Sequence, residues 1–142
     1  MRLVDLTTKP WQLMLPGEKE ISLNKMVYLP GTLDEFGVGH EDRLDNSCHP
    51  DETTAQSFDD DVIATRFTRK HTYEGPTYFE QEITIAPADK CRTFFEIERA
   101  RCVRVYLDGE EIPSYEEQTI STPHVFELTG HEGIHRLCVE SD

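Results

Sequence analysis

Short stretches in which apolar and polar residues alternate dominate this sequence. In the clearest, Thr77–Ala86, the apolar Phe79, Ile83 and Ile85 fall on one side of an extended chain and polar residues fall on the other. A period of two is that of a β-strand with one buried face. Seven further runs are interpreted as strands: Lys25–Leu29, Ile63–Thr72, Arg92–Glu98, Cys102–Leu107, Glu110–Pro113, His124–Thr129 and Ile134–Val139.

Turn residues separate these runs, and the strongest turn signal is Asp108-Gly109. It joins two of the runs through two residues that tolerate the positive φ of a tight hairpin. No long helical period interrupts the pattern. About eight short strands at this spacing predict an all-β sandwich or barrel.

The chain length predicts one domain over residues 1–142, large enough to bury a core without disulfides. Two connections are longer than the rest, at residues 30–61 and 113–123. The first is rich in Gly, Asp, Glu, His and Pro and poor in large apolar residues. A connection of that length is typical of a functional or disordered segment.

Charge narrows the range of partners. Fourteen basic and 28 acidic residues give a net charge of −14, which repels phosphate backbones and anionic lipid. We therefore expect neither nucleic acid nor membrane as a partner. The start of the chain has no apolar leader, and its four cysteines form no CxxC pair. A reducing, cytoplasmic location is the simpler interpretation, although four thiols could also pair and a secreted or periplasmic location stays open if a signal peptide was removed.

Metal and cofactor motifs are missing from the sequence. The segment from His40 to Glu52 contains side chains that can bind metals, but their spacing matches neither a zinc motif nor an EF-hand. No phosphate-binding glycine loop is present. We expect no cofactor and no metal.

Catalytic residues are not predicted in this chain. It has no GxSxG elbow and no known local cysteine–histidine signature. Two carboxylates suffice to hydrolyse a glycoside, but among 28 acidic residues pairs arise by chance. Four aromatic residues could stack on a sugar, although burial is the expected fate of each: Trp11, Tyr28, Tyr73 and Tyr78.

Four segments in fixed order give the chain a family resemblance. They read VYLPGTLDEFGVG (Val27–Gly39), TRKHTYEGPTYFEQEITI (Thr68–Ile85), FFEIERARCVRVYLDGEEI (Phe94–Ile112) and STPHVFELT (Ser121–Thr129). Together they resemble the N-terminal sugar-binding domain of glycoside hydrolase family 2, which includes β-galactosidases, β-glucuronidases and β-mannosidases. The resemblance extends over nearly the whole chain, from Trp11 to Val139.

The resemblance implies a fold and a place in a larger protein. The fold is a jelly-roll-type antiparallel β-sandwich, similar to galactose-binding domains, followed in the family by an immunoglobulin-like domain and a (β/α)₈ barrel. The barrel bears both catalytic carboxylates and needs about 250 residues, which this chain does not contain. We therefore expect a non-catalytic accessory domain of a retaining glycosidase, most similar to a β-galactosidase, with its sister domains and a carbohydrate substrate as partners.

Three residues are predicted to contact the substrate. In some family members the first domain contributes polar side chains to the edge of the sugar site, at positions that match Glu80 and Glu127. Both depart from the family pattern, because Glu127 replaces an Asp and Glu80 replaces an amide or a basic residue. His124, at the start of a strand, is the third candidate, and a hydrogen-bonded structural role is its alternative.

Two other functions stay open at the level of sequence. A stand-alone carbohydrate-binding module would have the same fold and an exposed aromatic platform. A protein-interaction scaffold would instead expose an apolar patch that promotes association.

Overall fold

The computed structural model describes residues 2–16, 24–41, 71–87 and 90–141. The chain forms two compact units. One unit comprises Met1–Leu29 and Gly75–Asp142, and the other comprises Pro30–Glu74. Within the described parts of the chain, no helix has the length and apolar composition needed to cross a bilayer.

Apart from one 3-10 turn, every regular element in the described residues is a β-strand, which confirms the predicted all-β fold class. A single 3-10 turn, Leu6–Thr8, precedes the first strand. Ten antiparallel strands follow: β1 (Trp11–Met14), β2 (Asn24–Val27), β3 (His40–Glu41), β4 (His71–Thr72), β5 (Thr77–Ile85), β6 (Phe94–Ile97), β7 (Val103–Leu107), β8 (Glu110–Ile112), β9 (His124–Glu127) and β10 (Gly133–Ser141).

A six-stranded sheet in the order β2-β1-β5-β10-β7-β8 forms most of the first unit. Its two nine-residue strands, β5 and β10, pair along their full length from Gly133↔Ile85 to Ser141↔Thr77. Both strands alternate in burial along much of their length. The alternation gives the sheet one face toward the core and one face toward solvent.

The second sheet of this unit is the β6–β9 pair, which contributes Phe95 and Phe126 to the core. Their rings lie 6.3 Å apart between centroids. The six-stranded sheet buries Leu13, Val105 and Leu137, each fully inaccessible to solvent. Apolar burial on two inner faces stabilises the unit, since removing apolar surface from water is the main driving force of folding.

The N-terminal segment is tied to this sheet by a buried amide. Gln81, only 6% exposed, donates from Nε2 toward the carbonyls of Leu6, Lys9 and Pro10 at 3.2 Å each. The indole of Trp11 donates to the same Leu6 carbonyl at 3.1 Å. Buried polar groups need such partners, and these bonds hold the chain in place where β1 begins.

The predicted hairpin at Asp108-Gly109 is confirmed. Both residues have positive φ, 52° and 88°, as a two-residue turn of this type requires. The Asp108 carboxylate accepts from the Arg136 backbone N–H at 2.8 Å, and the Asp108 N–H donates to the Arg136 carbonyl at 2.9 Å. The turn between β7 and β8 is thereby fastened to the neighbouring β10.

The sequence pattern missed one strand, and one expectation of burial was wrong. The strand Trp11–Met14 was not predicted, because four residues with apolar Met14 on the outer side give a weak alternation. Tyr28 was expected to be buried but is 63% exposed, since it follows the last residue of the edge strand β2. Most of the predicted strand Ile63–Thr72 lies outside the described residues. Its last two residues, His71–Thr72, form β4.

The second unit, Pro30–Glu74, is described for residues 30–41 and 71–74. Thr32 and Glu35 exchange hydrogen bonds, with the Thr32 N–H donating to Glu35 Oε2 at 2.7 Å and the Glu35 N–H donating to Thr32 Oγ1 at 3.2 Å. His71 binds Asp34 through its backbone N–H at 2.7 Å and places its Nδ1 3.0 Å from the same oxygen. The bonds between His71 and Asp34 join the two described segments of this unit.

Candidate functional site

The three predicted substrate-contacting residues lie on two different sheets. Glu80 lies on β5 of the six-stranded sheet, and Glu127 and His124 lie on β9 of the two-stranded sheet.

His124 is part of the core. The residue is only 1% exposed, and its ring Nε2 lies 2.9 Å from the carbonyl oxygen of Ala100. Its Nδ1 is buried without a hydrogen-bond partner among the described residues. The contact with Ala100 gives the ring a structural role at the start of β9, while its contact with a sugar stays a prediction.

Glu127 forms a two-point ion pair with Arg92. Arg92 Nε donates to Glu127 Oε1 at 2.8 Å, and Arg92 Nη2 donates to Glu127 Oε2 at 2.6 Å. The Arg92 hydrogen bond, helped by one from Thr129, lowers the pKa of Glu127 from 4.5 to about 2. Both carboxylate oxygens are therefore engaged within the domain, and the carboxylate stays ionised at neutral pH.

Two exposed aromatic rings complete this cluster. Phe94 and Tyr115, 42% and 46% exposed, meet edge to face with centroids 5.2 Å apart. The Arg92 guanidinium lies 4.9 Å from the centroid of Phe94 and 5.0 Å from that of Tyr115. This is cation–π geometry, so the guanidinium contacts both rings as well as the Glu127 carboxylate.

Glu80 lies in a different environment, on the outer face of the six-stranded sheet. The register places Glu80, Cys138 and Tyr106 in one row across β5, β10 and β7. Side chains directly opposite each other in such a row are neighbours. The small thiol of Cys138 therefore lies between two much larger side chains.

The neighbouring rows enclose this small residue. On one side, Glu140 of β10 lies opposite Tyr78 of β5 and Arg104 of β7. On the other side, Arg136 lies opposite Glu82. The result is a shallow depression of about 590 Å³ on the sheet face, lined by Tyr78, Glu80, Tyr106, Asp108, Gly109, Arg136 and Cys138.

Charges in the depression are largely compensated. Arg136 Nε lies 3.0 Å from Glu80 Oε1, and the Glu80 side chain is 18% exposed while that of Arg136 is 72% exposed. The hydroxyl of Tyr106 donates to Glu140 at 2.8 Å. That hydrogen bond, together with desolvation, raises the pKa of the Tyr106 hydroxyl, so it stays a protonated donor at neutral pH.

The floor of the depression is uncharged. Desolvation, with smaller contributions from the charges of Glu80 and Glu140, raises the pKa of the Cys138 thiol to about 11. A thiol of this kind is protonated at neutral pH and is a poor nucleophile. Cys138 therefore acts as a small neutral surface here rather than as a reactive group.

Asp108, at one end of the depression, is held by a histidine. His135 Nδ1 lies 2.6 Å from Asp108 Oδ2, and His135 Nε2 lies 3.2 Å from the Glu132 carbonyl. The Asp108 contact, followed by that of Glu132, raises the pKa of His135. Hydrogen bonds from the Arg136 backbone and from His135 lower the pKa of Asp108. The position of this carboxylate is thus set from two sides.

Sequence reasoning found only Glu80 among these lining residues as a substrate contact. Tyr78 was considered as a stacking residue, but Tyr106, Arg136 and Cys138 were not considered. The outward orientation of two of them could be predicted from the sequence, because Tyr106 alternates with the apolar Val105 and Leu107, and Cys138 alternates with Leu137 and Val139. Alternation places each on an outer face, but only the strand order places them side by side.

Metal ligands do not assemble in the part of the chain that the structure describes. No group of three or more His, Cys, Asp or Glu side chains there could hold a metal ion. Most of the segment from His40 to Glu52, singled out for its metal-capable residues, lies outside the described residues.

Comparison with known proteins gave matches among solved structures. No family model and no curated protein matched the chain. A β-glucuronidase of Ruminococcus gnavus in complex with uronic deoxynojirimycin aligns with a TM-score of 0.56 at 14% identity. β-Glucuronidases of Faecalibacterium prausnitzii and Dictyoglomus thermophilum align with TM-scores of 0.52, at 14% and 12% identity.

These alignments are unequal in coverage. Each includes 94% of this chain but only 18–20% of the matched enzyme. At such low identity the likeness concerns the fold alone, which agrees with the fold that the family resemblance implied. The chain therefore has the fold of about one fifth of a much longer enzyme.

Proposed function

We propose that this chain is a non-catalytic accessory domain of a larger glycoside hydrolase that cleaves O-glycosidic bonds. The observation that carries the proposal is the unequal coverage. Nearly all of the chain matches β-glucuronidases, yet it accounts for about one fifth of their length. The ordered motifs from Val27 to Thr129 independently support the same assignment.

The chemistry of glycoside cleavage explains why this domain is proposed to be non-catalytic. A retaining enzyme needs two carboxyl groups about 5 Å apart, one as nucleophile and one as acid/base. In the family that the chain resembles, both belong to a barrel domain. In this domain Glu127 is engaged by Arg92 and Glu80 by Arg136, so each is suited to hold position and to bind hydroxyls rather than to transfer protons.

The proposal also concerns which sugar the parent enzyme releases. The sequence motifs favour a β-galactosidase-like parent, whereas the matched structures are those of β-glucuronidases. The two alternatives differ in the charge of the sugar, neutral for galactose and anionic for glucuronate. A direct comparison of the two substrates decides between them.

The experiment uses the native protein. An antibody against this domain precipitates it from source cells, and the precipitate is assayed with the fluorogenic 4-methylumbelliferyl β-galactoside and β-glucuronide. We expect turnover of one of these by the precipitate and none by the purified 142-residue chain. Turnover by the purified chain, or a precipitate inactive on both, contradicts the proposal.

A cytoplasmic location is part of the same proposal. Cys91, Cys102 and Cys138 are free thiols, as is usual in a reducing compartment. Fractionation of source cells with the same antibody tests this, since recovery from the medium or from an extracytoplasmic fraction would contradict it.

A second candidate function is a carbohydrate-binding module that works without a catalytic partner. The depression around Cys138 favours this candidate, because it lies within one unit of this chain. The two functions differ in the length of the native polypeptide and in whether it turns over a glycoside.

A further inference from the structure

The turn between β6 and β7, residues 98–102, presents two arginines to solvent. Arg99 and Arg101 are both exposed. Among the described residues, neither guanidinium has a hydrogen-bond or ion-pair partner, and the exposed Glu98 of the same turn pairs with neither of them. The turn therefore offers two cationic groups, each with several N–H donors, to a partner outside the domain.

Other arginines of the domain are paired with its own carboxylates. Glu127 binds Arg92 at two points, and Glu80 Oε1 lies 3.0 Å from Arg136 Nε. The chain has 28 acidic and 14 basic residues, so an unpaired arginine does not result from a shortage of acids. We expect a guanidinium left free in such a chain to meet a carboxylate from elsewhere, which its planar fork can bind through two hydrogen bonds.

Two contacts hold the backbone of this turn in place. The buried His124 of β9 places its Nε2 2.9 Å from the carbonyl oxygen of Ala100, which lies between the two arginines in sequence. At the start of β7, the Gln118 side chain accepts from the Val103 N–H at 3.1 Å and donates to the Val103 carbonyl at 2.7 Å. A fixed backbone lowers the conformational entropy that the turn loses when it binds a partner.

The backbone conformation of Arg99 is strained. Its φ of 60° lies in the left-handed region, which costs free energy for a residue with a Cβ and is readily adopted by glycine. Conformations of this kind are concentrated at functional sites, where the surrounding structure enforces them. An arginine at this position keeps a guanidinium on the turn at the expense of the local backbone.

The charge of the domain and its strand order indicate which partner can reach the turn. A net charge of −14 repels an acidic protein that approaches from solution. A domain of the same polypeptide is instead held at a high effective concentration, so that local pairing with two arginines can prevail. The last residue of β10, Ser141, lies opposite Val103. Any part of a longer polypeptide that follows β10 therefore starts next to the turn.

We propose that the β6–β7 turn is the docking point for an acidic surface of a neighbouring domain in the longer polypeptide, with Arg99 and Arg101 bound to carboxylates of that surface. The inference rests on the proposed function, which supplies the neighbouring domain, and adds to it the contact by which this domain is held. Neither a sugar nor the catalytic centre takes part in this contact.

The first test is arginine-selective labelling with phenylglyoxal, followed by peptide mass spectrometry. It compares the native polypeptide, purified with the antibody against this domain and released from it, with the purified 142-residue chain. Arg99 and Arg101 should react about tenfold more slowly in the native polypeptide, because a guanidinium bound to a carboxylate is not free to react. The exposed Arg2 is the control in the same digest and should react equally in both proteins.

Paired variants separate docking from folding. The double variant Arg99→Gly with Arg101→Ala removes both guanidiniums and places glycine at the positive φ that suits it. In the purified chain it should leave the thermal midpoint unchanged or slightly higher. In the recombinant full-length polypeptide it should lower the midpoint of this domain by roughly 2–4 °C, and high salt should shrink that difference by screening the ion pairs. The matched control Arg2→Ala should change neither midpoint.

Equal labelling of Arg99 and Arg101 in the two proteins, or an equal effect of the double variant on both midpoints, would overturn the inference. Protection that develops in the purified chain as its concentration rises would assign the turn to a second copy and would overturn it too. A long polypeptide that cleaves a glycoside but leaves the turn reactive sinks this inference alone. A long polypeptide with a protected turn and no turnover sinks the glycosidase assignment alone, and a native protein of 16.4 kDa sinks both.

Discussion

Replacing Leu137 with alanine tests whether the inner face of the central strand β10 carries the stability of the domain. Leu137 is fully inaccessible to solvent. It lies opposite Gln81 on β5 and Leu107 on β7, so its side chain is at the middle of the six-stranded sheet. The substitution leaves the outer face of the strand unchanged.

The expected cost follows from the burial. Leucine to alanine removes three carbon atoms from a fully buried site, which costs roughly 2–2.5 kcal/mol in transfer free energy at about 0.8 kcal/mol per methylene. The cavity that remains adds to this because a close-packed interior relaxes only in part. We expect a loss of about 3–4 kcal/mol in the free energy of unfolding, a large share of the roughly 5–15 kcal/mol of a typical domain.

The assay is urea denaturation followed by the fluorescence of Trp11. Trp11 is the single tryptophan of the chain and is 4% exposed on the same sheet, so its emission reports the loss of this core. The matched control is Ile134→Ala, since Ile134 belongs to the same strand but is 68% exposed, and its change should stay within about 0.5 kcal/mol. A loss below about 1 kcal/mol for Leu137→Ala, or equal losses for both variants, would refute the reasoning.

Further predictions concern titratable groups. Arg92 lowers the pKa of Glu127 from 4.5 to about 2. The stability contributed by the Glu127–Arg92 ion pair is therefore complete above pH 4.5 and is lost as the pH falls toward 2. Denaturation midpoints measured across this window should therefore change less with pH in Glu127→Gln than in the parent chain, and an identical pH dependence would count against the ion pair. With a pKa of about 11, the Cys138 thiol should react with iodoacetamide at pH 8 much more slowly than the exposed Cys102, as peptide mass spectrometry would show; equal rates would contradict the burial. Asp108 raises the pKa of His135, so that contribution to stability is present below pH 6.5 and is lost as the pH rises through the raised value. Asp108→Ala should return the NMR-measured pKa of His135 toward 6.5, and an unchanged value would exclude Asp108 as the cause.

Local sequence patterns predicted most of the strands because alternation and turn chemistry are local properties. The run Thr77–Ala86 became β5 within one residue of its predicted end, and Asp108-Gly109 formed the expected turn. Trp11–Met14 was missed because a four-residue strand offers too few positions for a period to show. Its place beside β5 is decided by pairing over a long sequence separation, which no local pattern contains.

The candidate site was predictable only in part, for the same reason. Family resemblance led to Glu80, and the structure adds Arg136 and Tyr106 from strands about 25 to 55 residues away in sequence. Alternation states which face each side chain occupies but not which strands are neighbours. The role of Arg92 in holding Glu127 was likewise invisible, since the arginine lies just before β6 and its partner lies near the end of β9.

The structure also separates two kinds of surface that the sequence could not distinguish. Around Arg92 the aromatic rings and the carboxylate are satisfied by one another. Around Cys138 the polar groups surround an open recess. In both places the polar groups are paired with one another, but around Cys138 the paired groups border an open depression of the sheet face.

The measurement that tests the accessory-domain account most directly is the length of the native polypeptide, determined by immunoblotting source cells with an antibody against this domain. The account predicts a band far above 16.4 kDa, with room for a catalytic barrel of roughly 250 residues or more. A single band at 16.4 kDa would contradict it, because the domain would then work without a catalytic partner on the same chain.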